Sequence, residues 1–160
     1  MAIYLKLGDI KGEVTAQGFA DQIECHSMQF GVGRAISTPV GAVTNREASA
    51  PSISEVVLTK QLDKSSIALF TEAVVGKKEK ALKAEITITK TGGDSLEKIA
   101  VYTLHNTMIS GYSVSSGGDR PSESISLNFT KIEIEVVNET ETGEDGSPVR
   151  ASYDLATAKA

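Results

Sequence analysis

Cysteine and histidine are scarce in this chain of 160 residues, which contains one cysteine and two histidines. Cys25 has no partner for an internal disulfide, which excludes a small secreted scaffold held together by disulfide bonds. Neither paired cysteine motifs nor histidines at helical spacing are present, so the usual zinc patterns are missing. Cys25 and His26 are adjacent in a predicted strand and point to opposite faces, which argues against a nucleophile and base pair.

Basic residues are also in the minority, with 16 lysines and arginines against 21 acidic residues and a net charge of -5. This balance argues against nucleic acid or an anionic membrane as a partner. No apolar run approaches the ~20 residues of a membrane span. Residues 1–9 alternate instead of showing a charged start and a long apolar run, so we expect no signal peptide and synthesis in the cytoplasm.

The common cofactor motifs are absent as well. Gly31-Val32-Gly33 does not lead into a helix, which removes the dinucleotide interpretation, and there is no glycine-lysine phosphate loop. The acidic residues of segment 138–147 can hold a hard cation, but the calcium-loop pattern is incomplete and a solvated acidic loop is favoured. We therefore expect no cofactor, no metal and no catalytic site.

Alternation of apolar and polar residues predicts strands over most of the chain. The predicted strands cover residues 3–7, 23–30, 84–89, 96–114 and 125–136, with a short last strand near 153–155. Phase changes predict a β-bulge near His26-Ser27 and a bulge or bend near Thr130-Lys131. The pattern is typical of one domain over residues 1–160, mainly β, built as a small antiparallel barrel or sandwich.

One short α-helix interrupts the strands. Ser65 or Ser66 can cap its start and Gly76 can end it, and lysines 77, 78 and 80 suit the negative end of its dipole. Its apolar stripe consists of Ile67, Phe70 and Val74. Because a helix of about ten residues is marginal alone, we expect this stripe to dock on the strands.

Residues 31–52 form a long segment with several glycines and prolines and no sustained periodicity. Loops of this length are usually functional or disordered, and both interpretations remain open for this one. Ile36, Val40 and Val43 offer apolar contacts that have no place in the predicted core.

Four stretches resemble the family of haemolysin-coregulated proteins (Hcp), which form the inner tube of type VI secretion systems. They are LGDIKGE at 7–13, LTK at 58–60 with LDKSS at 62–66, KAEITI at 83–88, and RPSESISLNFTKI at 120–132. They lie between residues 7 and 132, which span most of the chain, and they follow the order of the family pattern. The resemblance implies a β-barrel of two sheets flanked by the helix, and a structural role instead of an enzymatic one.

The resemblance also implies an assembly. Six subunits would form a ring, and stacked rings would form a tube that a sheath propels out of the cell with a spike protein and effectors. Gln29 faces away from the core if Met28 and Phe30 face it, and the family places Gln29 and Ser27 in the lumen, in contact with effectors. Ile36, Val40 and Val43 would then serve ring stacking or the subunit interface. The protein would be cytoplasmic before firing and secreted afterwards.

Two other functions remain as alternatives. A small-ligand-binding barrel would hold a molecule in a cavity of each monomer, and a hydrolase would depend on His26 or His105.

Overall fold

The computed structural model describes residues 1–41, 46–76, 82–93, 95–137 and 146–160. One helix, α1, spans Ser65–Val75. The strands are β1 (Ala2–Leu7), β2 (Ile23–Cys25), β3 (Ser27–Gln29), β4 (Val32–Gly33), β5 (Ile36–Ser37), β6 (Glu47–Ala48), β7 (Ser52–Ile53), β8 (Val56–Gln61), β9 (Leu82–Gly92), β10 (Ser95–Ser115), β11 (Ser122–Asn128), β12 (Lys131–Val136) and β13 (Val149–Asp154).

The long strand β10 belongs to two antiparallel sheets. Its first half pairs with β9 and β12, which extends the first sheet in the order β2-β1-β9-β10-β12-β13. Its second half, from Met108 to Ser115, pairs with β11 and extends the second sheet in the order β10-β11-β8-β3. Between the halves the chain bends at Asn106, whose φ is 50°. The predicted mainly β fold of two sheets with one short helix is confirmed.

Both predicted phase changes lie where the chain crosses from one sheet to the other. β2 pairs with β1 in the first sheet and β3 pairs with β8 in the second, and the amide of His26 between them donates to the Thr59 carbonyl at 2.7 Å. Likewise, Phe129 and Thr130 connect β11 to β12. The side-chain phase shifts at these points because the strand changes its pairing partners, which is a larger change than one extra residue in a continuous ladder.

The core fills the space between the two sheets. Its fully buried apolar members include Leu5, Leu7, Ile23, Val56, Leu58, Leu69, Ile86, Leu104, Ile125 and Leu127. Burying each large aliphatic side chain contributes roughly 1.5–3 kcal/mol relative to exposure. The core therefore stabilises the subunit without a disulfide, and Cys25 is a buried free thiol within it.

The helix begins and ends close to the predicted positions. The Asp63 carboxylate accepts the Ser65 amide at 2.8 Å, and the Ser66 hydroxyl accepts the Asp63 amide at 3.0 Å. Lys64 precedes the first helical residue and its side chain makes no capping bond, so the Asp63 carboxylate one residue earlier accepts the helix amide, in contrast to the predicted Ser65 or Ser66. Gly76 ends the helix with φ of 52° and its amide bound to the Glu72 carbonyl, as predicted. Lysines 77, 78 and 80 lie outside the described residues.

The predicted docking stripe of the helix is wrong. Ile67, Phe70 and Val74 are 75%, 53% and 67% exposed. The helix instead buries Leu69 with two serines at its start. Periodicity identified a real apolar stripe, but the two serines face inward because Asp63 and the buried Glu123 of the second sheet accept their hydroxyls.

The described residues of this segment, 31–41 and 46–54, form a β-ribbon instead of an irregular loop. β4 pairs with β7, and β5 pairs with β6. Between these ladders the Ser49 amide donates to the Ala35 carbonyl at 2.9 Å. Ile53 is half-buried against the core, but both residues of β4 and of β5 are exposed, so the sequence carries no alternation that could predict these strands. Ile36 and Val40 are exposed on it, and Val43 lies outside the described residues.

Candidate functional site

The outward face of the second sheet carries rows of hydroxyl groups. Cross-strand pairing places Ser113, Ser124, Thr59 and Ser27 side by side across all four strands. The Ser27 and Thr59 hydroxyls are hydrogen-bonded to each other. These residues alternate with the buried Leu58 and other core residues of the same strands, so they point away from the core.

We call this surface the neutral face. It consists of Ser27, Gln29, Val57, Thr59, Gln61, Gly111, Ser113, Ser115, Ser122, Ser124 and Ser126. None of these eleven residues is charged, although 23% of the chain is. At one margin the Glu55 carboxylate accepts the Ser110 hydroxyl at 2.7 Å. The polar residues of the face can therefore exchange hydrogen bonds with a partner but offer no fixed charge to it.

Gln29 lies on this face opposite Val57 and is exposed, whereas Met28 is half-buried against the core. The prediction that Gln29 points away from the core is therefore confirmed. Ser27 shares the same exposed side of β3. Their assignment to a lumen stays a prediction at this point.

A buried ion pair lies directly beneath the neutral face. Lys60 and Glu123 have no side-chain exposure, and the Lys60 Nζ is 2.6 Å from the Glu123 carboxylate. The same ammonium donates to Asp63 Oδ1 at 2.9 Å and to the Gln61 carbonyl at 2.7 Å. All the charges are paired at short distance, which is what burial of such groups requires.

The remaining oxygens of this network tie the helix to the sheet. Ser66 at the start of α1 donates to the Glu123 carboxylate at 2.9 Å, and Tyr112 donates to its other oxygen. Burial, followed by the hydrogen bond to Glu123, raises the pKa of Tyr112 to about 12. Burial acts to raise the pKa of Asp63, but hydrogen bonds from Ser65 and Lys60 outweigh it and lower that pKa. The network thus fixes α1 against strands β8, β10 and β11.

The sequence analysis did not predict this ion pair, although the apolar pattern around both residues contains a signal for it. Lys60 follows Val56 and Leu58 at the inward phase of β8, and Glu123 precedes Ile125 at the inward phase of β11. A charge at an inward position predicts a buried partner of opposite sign. Matching these two positions would have suggested the pair.

Both edges of the second sheet are unpaired in the part of the chain that the structure describes. β3 pairs only with β8, and residues 108–115 of β10 pair only with β11. Helix α1 lies beside the β10 edge, where Phe70 packs edge-on to Tyr112 with ring centroids 6.1 Å apart. We call the exposed side chains of Ile67, Phe70 and Val74 the helix patch. The chain therefore exposes backbone hydrogen-bonding groups and apolar surface at the same place.

The two histidines lie in different parts of the fold. His105 lies on the first sheet with its Nε2 2.8 Å from a Glu133 carboxylate oxygen, while His26 lies at the crossing between the sheets. Burial raises the pKa of the Cys25 thiol to about 12, which keeps it a weak nucleophile. Fully buried apolar side chains fill the space between the sheets, which counts against a small-ligand barrel. No group of metal-binding side chains occurs within the described ranges.

Comparisons with known proteins agree with this geometry. The family model for the type VI secretion system effector Hcp matches residues 4–136. The chain is 28% identical to protein hcp1 of Pseudomonas aeruginosa over 156 residues, which cover 96% of this chain and 94% of that protein. A solved type six secretion system protein superposes with a TM-score of 0.88 at 24% identity, covering 99% of this chain and 98% of that chain.

Two further solved structures show how far the fold extends. Hcp1 from Salmonella typhimurium has a TM-score of 0.74 at 23% identity, covering 98% of this chain and 95% of that one. The tube-terminating cap of the anti-feeding prophage has a TM-score of 0.57 at 11% identity, covering 84% and 87%. Together with the family match over most of its length, these findings show that this chain belongs to the Hcp family of type VI secretion tube proteins.

Proposed function

We propose that this chain closes into a ring of six copies and that the rings stack into the inner tube of a type VI secretion system. The observation that carries the proposal is the pair of unpaired edges of the second sheet, one of them bordered by the helix patch. A contact between two different edges is head-to-tail, and such contacts generate a closed ring when the rotation between copies fits.

In this arrangement the β3 edge of one copy meets residues 108–115 of β10 in the next. The backbone groups exposed at both edges then gain partners, which removes a template for uncontrolled aggregation. The helix patch becomes buried against the neighbour. Burying Ile67, Phe70 and Val74 there would contribute roughly 1.5–3 kcal/mol for each side chain buried completely. The apolar stripe of the helix is thus a docking surface for a second copy and not for its own core.

The neutral face, with Ser27 and Gln29, lines the lumen of the proposed ring and contacts the effectors carried there. The β-ribbon projects Ile36 and Val40 for contacts between stacked rings or adjacent subunits, and Val43 continues the same segment in sequence. A spike protein and a contractile sheath complete the apparatus. The tube subunit waits in the cytoplasm and leaves the cell on firing. No helix in the described ranges is long and apolar enough to cross a membrane.

Mass photometry of the purified protein at micromolar concentration tests the ring. We expect particles of about six times the subunit mass of 16.9 kDa. A monomer across the whole concentration range would rule the proposal out. Negative-stain images of the same sample should show rings with an open centre.

A substitution at Ile67 tests the interface. Ile67→Asp places a charge in the helix patch and should convert rings to monomers, because a buried unpaired charge is costly. The matched control is Ile67→Leu, which keeps the apolar surface and should keep the rings. If Ile67→Asp leaves the particle mass unchanged while the protein stays folded, the helix patch is not part of the ring contact.

A further inference from the structure

The neutral face also indicates which kind of partner the lumen accepts, provided that the proposed function is correct. We infer that this lumen holds folded cargo proteins through uncharged polar surfaces, and that it discriminates against cargo whose contacting surface is strongly charged of either sign. None of the eleven residues of the face carries a charge.

The two sheets differ sharply in their outward charge. On the first sheet, Lys6, Glu85 and Glu133 lie in one outward cross-strand row, with Thr103 between the two glutamates. Glu135 in the neighbouring row is paired with Arg150. Charge thus occupies the middle of one outward face of the subunit, whereas on the other it is absent from the eleven residues of the neutral face and occurs at the margin, at Glu55. Composition alone does not produce this difference, because both faces come from one chain in which 23% of residues are charged.

The chemistry of the face defines its partner. A hydroxyl both donates and accepts and can rotate to suit its partner, so rows of serine and threonine can bind many arrangements of uncharged polar groups. A cargo charge pressed against the same surface loses water without gaining an opposite charge, which is unfavourable for either sign. Because direct hydrogen bonds between neutral groups are only weakly affected by ionic strength, retention should not depend on salt.

The shape of the face argues for a protein as the occupant. It spans four strands, and the side chains in its central row, from Ser27 to Ser113, are short. The face has no aromatic platform for stacking a base or a sugar, since all eleven members are serine, threonine, glutamine, valine or glycine. A broad, low surface suits an extended contact with another folded protein more than the enclosure of a small molecule.

Retention of defined probes tests this inference. The probes are three variants of one small single-domain protein of the same size and fold, made acidic, neutral and basic by surface substitution. Each is co-produced with the ring protein, and the retained amount per ring is measured after purification at low and high salt. Unaltered rings should retain the neutral probe about tenfold better than either charged one, a ratio equivalent to 1.4 kcal/mol. Its retention should not change with salt.

Charged variants of the face provide the complementary arm. Ser124→Lys, at the centre of the face, should shift retention towards the acidic probe, and Ser124→Glu towards the basic one, both with strong salt dependence. The matched control is Thr103→Lys on the outward face of the first sheet, which should leave the preference unaltered. If Ser124→Lys does not form rings in negative stain, the exposed Ser113→Lys replaces it.

The outcomes separate this inference from the proposed function. Three results would overturn the selection for uncharged surfaces. The rings retain a charged probe as well as the neutral one, they lose the neutral probe at high salt, or they retain none of the three probes. Two further results would contradict the proposal that the lumen carries cargo. One is the absence of rings, and the other is that the charged variants of the face retain neither the acidic nor the basic probe. Neutral preference in unaltered rings, reversed by Ser124→Lys but not by Thr103→Lys, supports the inference.

Discussion

Removing one member of the buried ion pair should destabilise the subunit strongly, and removing both should cost much less than the sum of the single changes. The perturbation is Glu123→Gln, which keeps the size of the side chain and deletes its charge. Lys60 then remains fully buried with Asp63 as its only carboxylate partner. The reverse change, Lys60→Met, leaves the Glu123 carboxylate buried with only the hydroxyls of Ser66 and Tyr112.

The structure sets the expected size of each effect. Breaking a buried pair from one side costs about 3–5 kcal/mol. Glu123→Gln should lie near 3 kcal/mol, roughly the lower end of that range, because Asp63 at 2.9 Å still neutralises the ammonium. Lys60→Met should lie near 5 kcal/mol, about the upper end, because no cation remains for a carboxylate with no exposure. Combining Lys60→Met with Glu123→Gln removes both buried charges and should recover at least about 3 kcal/mol relative to the sum.

Urea unfolding of the three variants and the unaltered protein measures this double-mutant cycle. All four are compared at one protomer concentration, because assembly adds to the apparent stability. A loss of 3 kcal/mol should lower the melting temperature by about 6–12 °C, since each kcal/mol corresponds to roughly 2–4 °C in a domain of this size. The exposed ion pair of Lys11 and Asp21 at 3.4 Å supplies a control, and Lys11→Met should change little.

Two results would refute the reasoning. A loss below about 1 kcal/mol for Glu123→Gln would place the pair in the class of surface ion pairs, in conflict with its burial. Additive losses in the double variant would show that Lys60 and Glu123 do not stabilise each other.

Three further predictions concern other parts of the subunit. Leu69→Ala should lower the free energy of unfolding by about 2–5 kcal/mol because the side chain is fully buried. The control Ile67→Ala, at an exposed position, should lower it by under about 0.5 kcal/mol in the monomeric protein. Equal losses would contradict the assigned helix face. Because the pKa of Tyr112 is raised in the folded protein, its contribution to stability is complete below its ordinary pKa of 10.0 and is lost as the pH rises to about 12. The free energy of unfolding, measured across that pH range, should therefore fall less in Tyr112→Phe than in the unaltered protein. Val40→Asp should leave the melting temperature unchanged, because Val40 is fully exposed, but should reduce ring stacking and secretion. Normal secretion would show that Val40 does not contribute to ring stacking.

The sequence by itself determined the local structure wherever one face is buried. Side chains of a strand alternate with a period of two, so the apolar pattern of Leu5, Leu7, Ile86 and Ile125 identified strands and their inward faces. Where the phase changed, near His26 and Thr130, the pattern also located the crossings between the sheets. Gly76 marked the end of the helix because a left-handed backbone favours glycine. The position of Gln29 away from the core followed from the same alternation.

The tertiary structure alone decided how these elements combine. The stripe of Ile67, Phe70 and Val74 is equally consistent in sequence with an inward or an outward orientation, and only the inward hydrogen bonds of Ser66 turn the stripe away from the core. The sequence does not predict the β-ribbon, because the residues of β4 and β5 are exposed and show no alternation of apolar and polar residues.

Long-range pairing also created both parts of the candidate site. Lys60 and Glu123 lie 63 residues apart and meet because β8 pairs with β11 in one register. The neutral face joins Ser27 to Ser113 through two intervening strands, so its lack of charge belongs to no single stretch of sequence. A shift of one residue in either ladder would turn these side chains to the opposite face, which is why their arrangement depends on the register of distant strands and not on local preference.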